Sequence, residues 1–95
     1  MTTVKISQNR KDKRLLIAAM PWVDFKSAKP VMPRDIASVI NKAMNSDGFF
    51  EITETDGRKA MSCTPKGDIS FVSFASFKLP EVKAALIAAG YEVEA

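Results

Sequence analysis

The chain has 95 residues, of which 46% are apolar and 26% charged, and its 14 basic and 11 acidic side chains leave a net charge of +3. This composition fits one small folded domain over residues 1–95 and excludes a disordered chain. A domain of this size buries only about 60–65% of the surface of its unfolded chain. Large apolar side chains that the core does not need therefore point to function.

The sequence also limits where the protein can work. A single cysteine, Cys63, cannot form an intramolecular disulfide, which favours a reducing compartment. The longest apolar run, residues 15–23, is interrupted by Pro21 and is far shorter than the roughly 20 residues that a spanning helix needs. We therefore expect a cytoplasmic protein that does not contact a membrane.

The first half of the chain predicts two strands and a helix. Apolar and polar residues alternate over residues 2–7, as in a half-buried strand. The apolar run 15–22 favours a second, more deeply buried strand, although a helix also fits its length. Proline suits the first position of a helix, and the spacing of apolar residues predicts a helix from Pro33 to about Asn45.

The second half begins with a predicted hairpin. Asp56-Gly57 is typical of a two-residue type I′ turn. Such a turn places Glu54 opposite Lys59, and it pairs Ile52 with Met61 and Phe50 with Cys63 on the inner side of the sheet.

A third strand over residues 69–74 is predicted to point Val72 and Phe74 into the core. Ile69 and Phe71 then share the outer face with Phe49, whereas a one-residue change in the preceding loop would exchange the two sets.

A second helix and a closing strand complete the chain. Pro80 marks the start of the helix, and Gly90 marks its end with a left-handed cap that folds Tyr91 back on Leu86. The inner face of this helix is predicted to consist of Val82, Ala85, Leu86 and Ala89. Alternation over residues 91–95 predicts the last strand.

This order of elements predicts an α+β fold, a two-layer ferredoxin-like (split βαβ) sandwich with extra strands at the N-terminus and in the hairpin region. Both helices are expected on one face of an antiparallel sheet. The other face is then free to bind a partner.

The segment 66–74, with the sequence KGDISFVSF, resembles the RNP1 signature of RNA-recognition motifs with one residue inserted. In that family, outward aromatic side chains stack on bases. The resemblance implies that Phe71 is a stacking platform and that Ile69 occupies the other stacking position, with Val72 and Phe74 in the core. An ordinary edge strand with phenylalanine in the core explains the same residues.

No motif for catalysis, a metal or a cofactor is present. The chain has no histidine, and a turn or a cap explains each of its isolated glycines. Cys63 is expected to be a small core residue rather than a nucleophile. Glu54 and Asp56 at the hairpin tip offer too few oxygens for a cation site. We therefore expect a binding or regulatory module that is not an enzyme and has no small-molecule substrate.

The first candidate function is binding of single-stranded nucleic acid or a nucleoprotein. Bases would stack on Phe49 and Phe71 of the outer sheet face. Phosphates would contact the loop of residues 9–14, here called the basic loop, which carries Arg10, Lys11, Lys13 and Arg14. A solvated loop between two strands is the alternative interpretation of these charges.

The second candidate function is docking on another protein, as an adaptor or an inhibitor. A mobile-element-encoded inhibitor of a nucleic-acid-processing machine is one example. Trp22 and Phe25 would be the anchors, because aromatic residues are enriched at interface hot spots. Alternatively, both side chains cap the end of the core. The sequence favours nucleic acid slightly and does not indicate an oligomeric state.

Overall fold

The computed structural model describes residues 2–20, 31–60 and 67–94. Within these ranges, two helices pack on one mixed sheet of six strands. In chain order the elements are β1 (Thr3–Gln8), β2 (Leu15–Ala19), α1 (Arg34–Met44), β3 (Phe50–Glu54), β4 (Lys59–Ala60), β5 (Ile69–Ala75), α2 (Leu79–Ala88) and β6 (Glu92–Glu94). A single 3-10 turn, Ser76–Lys78, joins β5 to α2.

The strands lie in the order β4-β3-β5-β2-β1-β6. All neighbours are antiparallel except β1 and β6, which run parallel. The prediction of a purely antiparallel sheet was therefore wrong. The reason lies in α2, which returns the chain to the end of the sheet where β5 begins, so that β6 runs in the direction of β5 and of β1. The α+β class and the two helices are confirmed, and the sheet has more strands than a simple βαβ sandwich.

The core lies between the helices and one face of the sheet. Alternation along the strands brings Val4 and Ile6 of β1, Ile52 of β3 and Phe74 of β5 to this face, and each is buried. The helices contribute a second set of buried apolar residues at helical spacing: Ile36, Ile40, Met44, Val82 and Leu86. The two predicted strands at the N-terminus are confirmed, and residues 15–19 form a strand rather than a helix.

The predicted cap of the second helix is also confirmed. Gly90 has a φ of +95°, its N–H donates to the Ile87 carbonyl at 3.0 Å, and the Tyr91 N–H donates to the Leu86 carbonyl at 3.0 Å. This pair of bonds is the Schellman arrangement that a glycine at this position allows. Ala89, predicted on the inner face, is exposed instead because it is already the capping residue beyond the last helical turn.

The predicted register of the hairpin was wrong by one residue. Ile52 pairs with Ala60 and Thr53 pairs with Lys59. A type I′ turn needs a positive φ at both central positions, here Asp56 and Gly57. The non-glycine residues of the described ranges with a positive φ are Asn45 and Ser46, so Asp56 does not meet this requirement.

The turn has three residues, 55–57, instead of two. The Gly57 N–H donates to the Glu54 carbonyl at 2.9 Å, Gly57 has a φ of +91°, and the Glu54 N–H donates to the Arg58 carbonyl at 2.7 Å. This pattern fits a type I turn followed by a left-handed glycine. Lys59 consequently lies opposite Thr53 and not opposite Glu54.

The directions of the β5 side chains were predicted correctly except at one position. Val72 and Phe74 have no exposed surface, and Phe71 lies on the opposite face. Ile69 was predicted to face outward but is only 1% exposed. The pairing with β3 shifts between Thr53 and Glu54, which marks a β-bulge, and the shift returns Ile69 to the core side.

Several predictions concern residues outside the described ranges. They include the two proposed protein-docking anchors, Trp22 and Phe25, and the residues Met61 and Cys63. Neither described helix is long and apolar enough to cross a membrane.

Candidate nucleic-acid interface

The sheet has an open face, which we define as the side opposite α1 and α2. Three strands supply its centre: Ala19 pairs with Phe71 and Phe71 with Thr53, while Ile17 pairs with Ser73 and Ser73 with Glu51. These residues alternate with the buried residues of the core, so strand geometry alone places them on the opposite side. The open face therefore combines one large aromatic ring with hydroxyl, carboxylate and aliphatic groups.

A groove of about 280 Å³, here called the central groove, crosses this face. Phe49 and Phe71, the two aromatic residues predicted to bind bases, both line it. The remaining lining residues are Asn9, Leu15, Ile17, Glu51, Thr53, Lys59 and Ser73. The lining of the central groove thus combines apolar side chains with several hydrogen-bonding groups.

A second groove of about 450 Å³, here called the end groove, lies at the end of the sheet next to the basic loop. Its lining consists of Asp12, Arg14, Leu15, Phe49, Ala75, Ser76 and Phe77. Leu15 and Phe49 line both grooves. The two grooves therefore form one continuous surface that runs from Phe71 to Phe77.

Hydrogen bonds within the chain hold the basic loop in place. Asn9 Oδ1 accepts the backbone N–H groups of Lys11 at 2.8 Å and Asp12 at 3.1 Å. Asp12 Oδ1 in turn accepts the N–H of Arg14 at 3.0 Å, and the Arg14 carbonyl accepts the Ser76 N–H at 2.8 Å. Short side chains that bond to the backbone in this way stabilise turns. The loop is thus attached to the strand end that forms the end groove.

The charges of the basic loop differ in how they are paired. Arg14 forms two side-chain bonds with Asp12, Nε to Oδ1 at 3.2 Å and Nη2 to Oδ2 at 3.3 Å. Hydrogen bonds from the Arg14 side chain and backbone hold the pKa of Asp12 below its ordinary value. Arg10, Lys11 and Lys13 are exposed and take part in none of the salt bridges within the described ranges. These three cations are accessible to an anionic partner.

Only some of the residues that the sequence singled out come together. Phe49, Phe71 and Arg14 line the continuous surface of the two grooves. Arg10, Lys11 and Lys13 lie in the same loop as Arg14 but line neither groove. Ile69, the second stacking position that the family resemblance implies, is buried.

Sequence reasoning missed Phe77, the most exposed large hydrophobic residue of the described ranges, with 65% of its surface accessible. Its ring lies so close to Gly48 that a Cβ at that glycine would be 2.9 Å from Phe77 Cζ. Lys78, the next residue, forms a salt bridge at 3.3 Å with Asp47, the residue before Gly48. An available signal was that Phe77 fits neither the alternation of β5 nor the inner face of α2.

The two carboxylates considered for a cation site have structural partners. Glu54 is buried and its Oε1 accepts the Gly67 N–H at 2.6 Å, while Asp56 pairs with Arg58 at 3.1 Å. Within residues 2–20, 31–60 and 67–94, no group of three or more histidine, cysteine, aspartate or glutamate residues is arranged to hold a metal ion.

Comparisons of the chain with protein-family models, with curated proteins and with solved structures find no match.

Proposed function

We propose that this protein is a non-catalytic module that binds single-stranded nucleic acid along the open face of its sheet. Bases stack on the aromatic rings of the two grooves, and the backbone phosphates contact the basic loop. The lone cysteine supports a cytoplasmic setting. A strand that is already part of a nucleoprotein offers the same chemistry.

One observation carries this proposal: Phe49 and Leu15 line both grooves, so the stacking surface reaches the basic loop at Arg14. A single strand needs this combination, since bases offer flat apolar faces and phosphates carry the charge.

The topology of the sheet supports the same proposal. The β2-α1-β3 and β5-α2-β6 units each connect strands that are not neighbours. In the first unit β5 lies between the two strands, and in the second β2 and β1 lie between them. We infer an elaborated ferredoxin-like sandwich in which β1 is inserted beside β6 and β4 extends the opposite edge. In this arrangement the centre of the open face is formed by β3, β5 and β2.

The direct test is fluorescence anisotropy with labelled single-stranded oligonucleotides. Replacing Phe71 or Phe77 with alanine should weaken binding by about 1–3 kcal/mol for each base that loses its stacking partner. Ile87→Ala is the matched control, because Ile87 is 57% exposed but lies on α2. Binding that is equal in all three variants would contradict the proposal.

The competing hypothesis is docking on another protein through Trp22 and Phe25, which lie outside the described residues. A pull-down from lysate with and without nuclease separates the two functions. A partner that is lost on nuclease treatment supports the nucleic-acid proposal. A partner protein that is retained after nuclease treatment but lost in Trp22→Ala would favour the competing hypothesis.

A further inference from the structure

A buried hydroxyl group in the central groove lacks a partner. Thr53 is 8% exposed, and its Oγ1 has no hydrogen-bond partner among the residues that the structure describes. It lies between Phe71 on β5 and Lys59 on β4 in the register of the sheet. A buried polar group without a partner costs stability, and such groups are rare in folded proteins. A bound ligand that displaces the side chains covering it would satisfy this one.

The charged neighbours of Thr53 form a loosely spaced ion pair. Glu51 Oε1 and Lys59 Nζ are 3.7 Å apart, which is longer than a hydrogen bond, and the Glu51 side chain is only 15% exposed. Both residues line the central groove with Thr53. The groove therefore offers a carboxylate that accepts, an ammonium that donates and a hydroxyl that does either.

The volume of the central groove limits what can enter. At about 280 Å³ it lies just below the range of roughly 300–1,000 Å³ for pockets that hold drug-sized molecules. One planar base fits this space better than a larger ligand. The Phe71 ring supplies an apolar wall against which such a base can stack.

We propose that the central groove reads one unstacked nucleobase and prefers cytosine or guanine; this inference rests on the function proposed above. Cytosine and guanine each present an amino group and a carbonyl oxygen. The amino group donates to Glu51, the carbonyl accepts from Lys59, and Thr53 Oγ1 bonds to the same base edge. Adenine lacks the carbonyl, whereas thymine and uracil lack the amino group.

The test uses a short labelled oligothymidylate and three strands of the same length in which one central base is cytosine, guanine or adenine. Wild-type protein should bind the cytosine or guanine strand about fivefold to tenfold more tightly than the other two, the effect of one or two added hydrogen bonds. Thr53→Val keeps the shape of the side chain and removes only the hydroxyl group. It should abolish most of this preference, and it should weaken binding of the cytosine or guanine strand more than binding of oligothymidylate.

Two further variants make the result specific. Glu51→Met removes the acceptor and should reduce the preference in the same way. Thr3→Val makes the same chemical change as Thr53→Val at a partly exposed position of β1, outside both grooves, and should bind like the wild type.

The possible failures are distinguishable. If the wild type binds all four strands equally and Phe71→Ala weakens them all, base reading is overturned while the proposed function stands. If Thr53→Val and Glu51→Met both retain the full preference, the assignment to this groove is overturned. If the wild type binds no strand, the proposed function fails, and base reading fails with it.

Discussion

The two faces of the sheet use the same strands for different purposes. Phe71 and Phe74 both belong to β5, yet Phe74 is fully buried beneath the helices and Phe71 remains partly exposed on the open face. The inner face is uniformly apolar at the centre of the sheet. The open face mixes aromatic, hydroxyl and charged side chains, and neither α1 nor α2 covers it.

Strand alternation places residues that stabilise the fold and residues that can contact a ligand on opposite faces of the same strand. A residue on the inner face is held by close packing, so any loss of volume there destabilises the fold. A partly exposed residue on the open face, such as Phe71, contributes less to folding and is available for a ligand. Variants of neighbouring residues in β5 should therefore have very different effects.

The largest expected effect is the loss of stability on replacing Phe74. Phe74→Ala should lower the free energy of unfolding by about 3–5 kcal/mol, because it leaves a cavity in a closely packed core. Phe71→Ala should cost about 1 kcal/mol or less, since it empties no enclosed site. Urea unfolding of both variants beside the wild type measures the difference. Equal losses would show that the open face is covered in solution.

The second prediction compares two glycines with similar backbone conformations. Gly48 and Gly57 have φ values of +101° and +91°, so an alanine at either position is strained by about 1–2 kcal/mol. A Cβ at Gly57 meets nothing within 4 Å, but at Gly48 it meets both Phe77 and Ala75 Cβ, the latter at 3.0 Å. Gly48→Ala should therefore destabilise the protein more than Gly57→Ala.

Gly48→Ala should also displace the Phe77 ring and weaken binding of a single strand, whereas Gly57→Ala should not. Thermal unfolding and anisotropy measured on the same two variants provide both comparisons. If the two alanine variants have the same stability, Phe77 is not fixed against Gly48 as the structure indicates.

The third prediction concerns the basic loop. Lys11→Ala combined with Lys13→Ala should reduce the slope of log K against log salt by about 1.4, at roughly 0.7 for each phosphate contact with a single strand. The matched control is Lys42→Ala with Lys83→Ala, which removes two exposed charges from the helices and so has the same net charge as the loop variant. An unchanged slope in the loop variant would show that these lysines are only solvated.

The sequence predicted most of the inner face and its helices because their patterns are strong. Apolar residues at helical spacing located α1, and the pair Pro80 and Gly90 located both ends of α2 to within about a residue. The orientation of Phe71 and Phe74 depended in addition on an assumed length for the loop before β5, since a one-residue change there would have exchanged the two faces. Buried positions are predictable because the core restricts which residues they can hold.

The open face was less predictable because it depends on pairing details that one residue can change. The three-residue turn at Gly57 placed Lys59 beside Thr53, and the bulge in the β3–β5 pairing buried Ile69. Neither feature has a distinctive pattern in the sequence, since Asp56-Gly57 is compatible with both turn lengths. The unpartnered hydroxyl of Thr53 appears only when three strands are assembled around it.

The smallest expected effect concerns Arg14, which differs from the other cations of the basic loop because it pairs with Asp12. The Arg14 hydrogen bonds lower the pKa of Asp12 from its ordinary value of 3.8. A carboxyl group with a lowered pKa in the folded state stabilises the fold above the pKa of the unfolded state. This contribution is lost as the pH falls through the lower, folded value. Because the Arg14 side chain is 89% exposed and the Asp12 side chain is only partly buried, the effect on stability should be small.

An NMR titration of the Asp12 carboxyl group should give a midpoint below 3.8, and Arg14→Ala should return it toward that value. Asp12→Asn removes the negative charge that pairs with Arg14 and makes the loop more positive, so single-strand affinity at low salt should rise slightly. The matched control, Asp56→Asn, makes the same change at the opposite hairpin, where the carboxylate pairs with Arg58. An equal gain from both variants would mean that net charge, and not the pairing of Arg14 beside the end groove, determines the affinity.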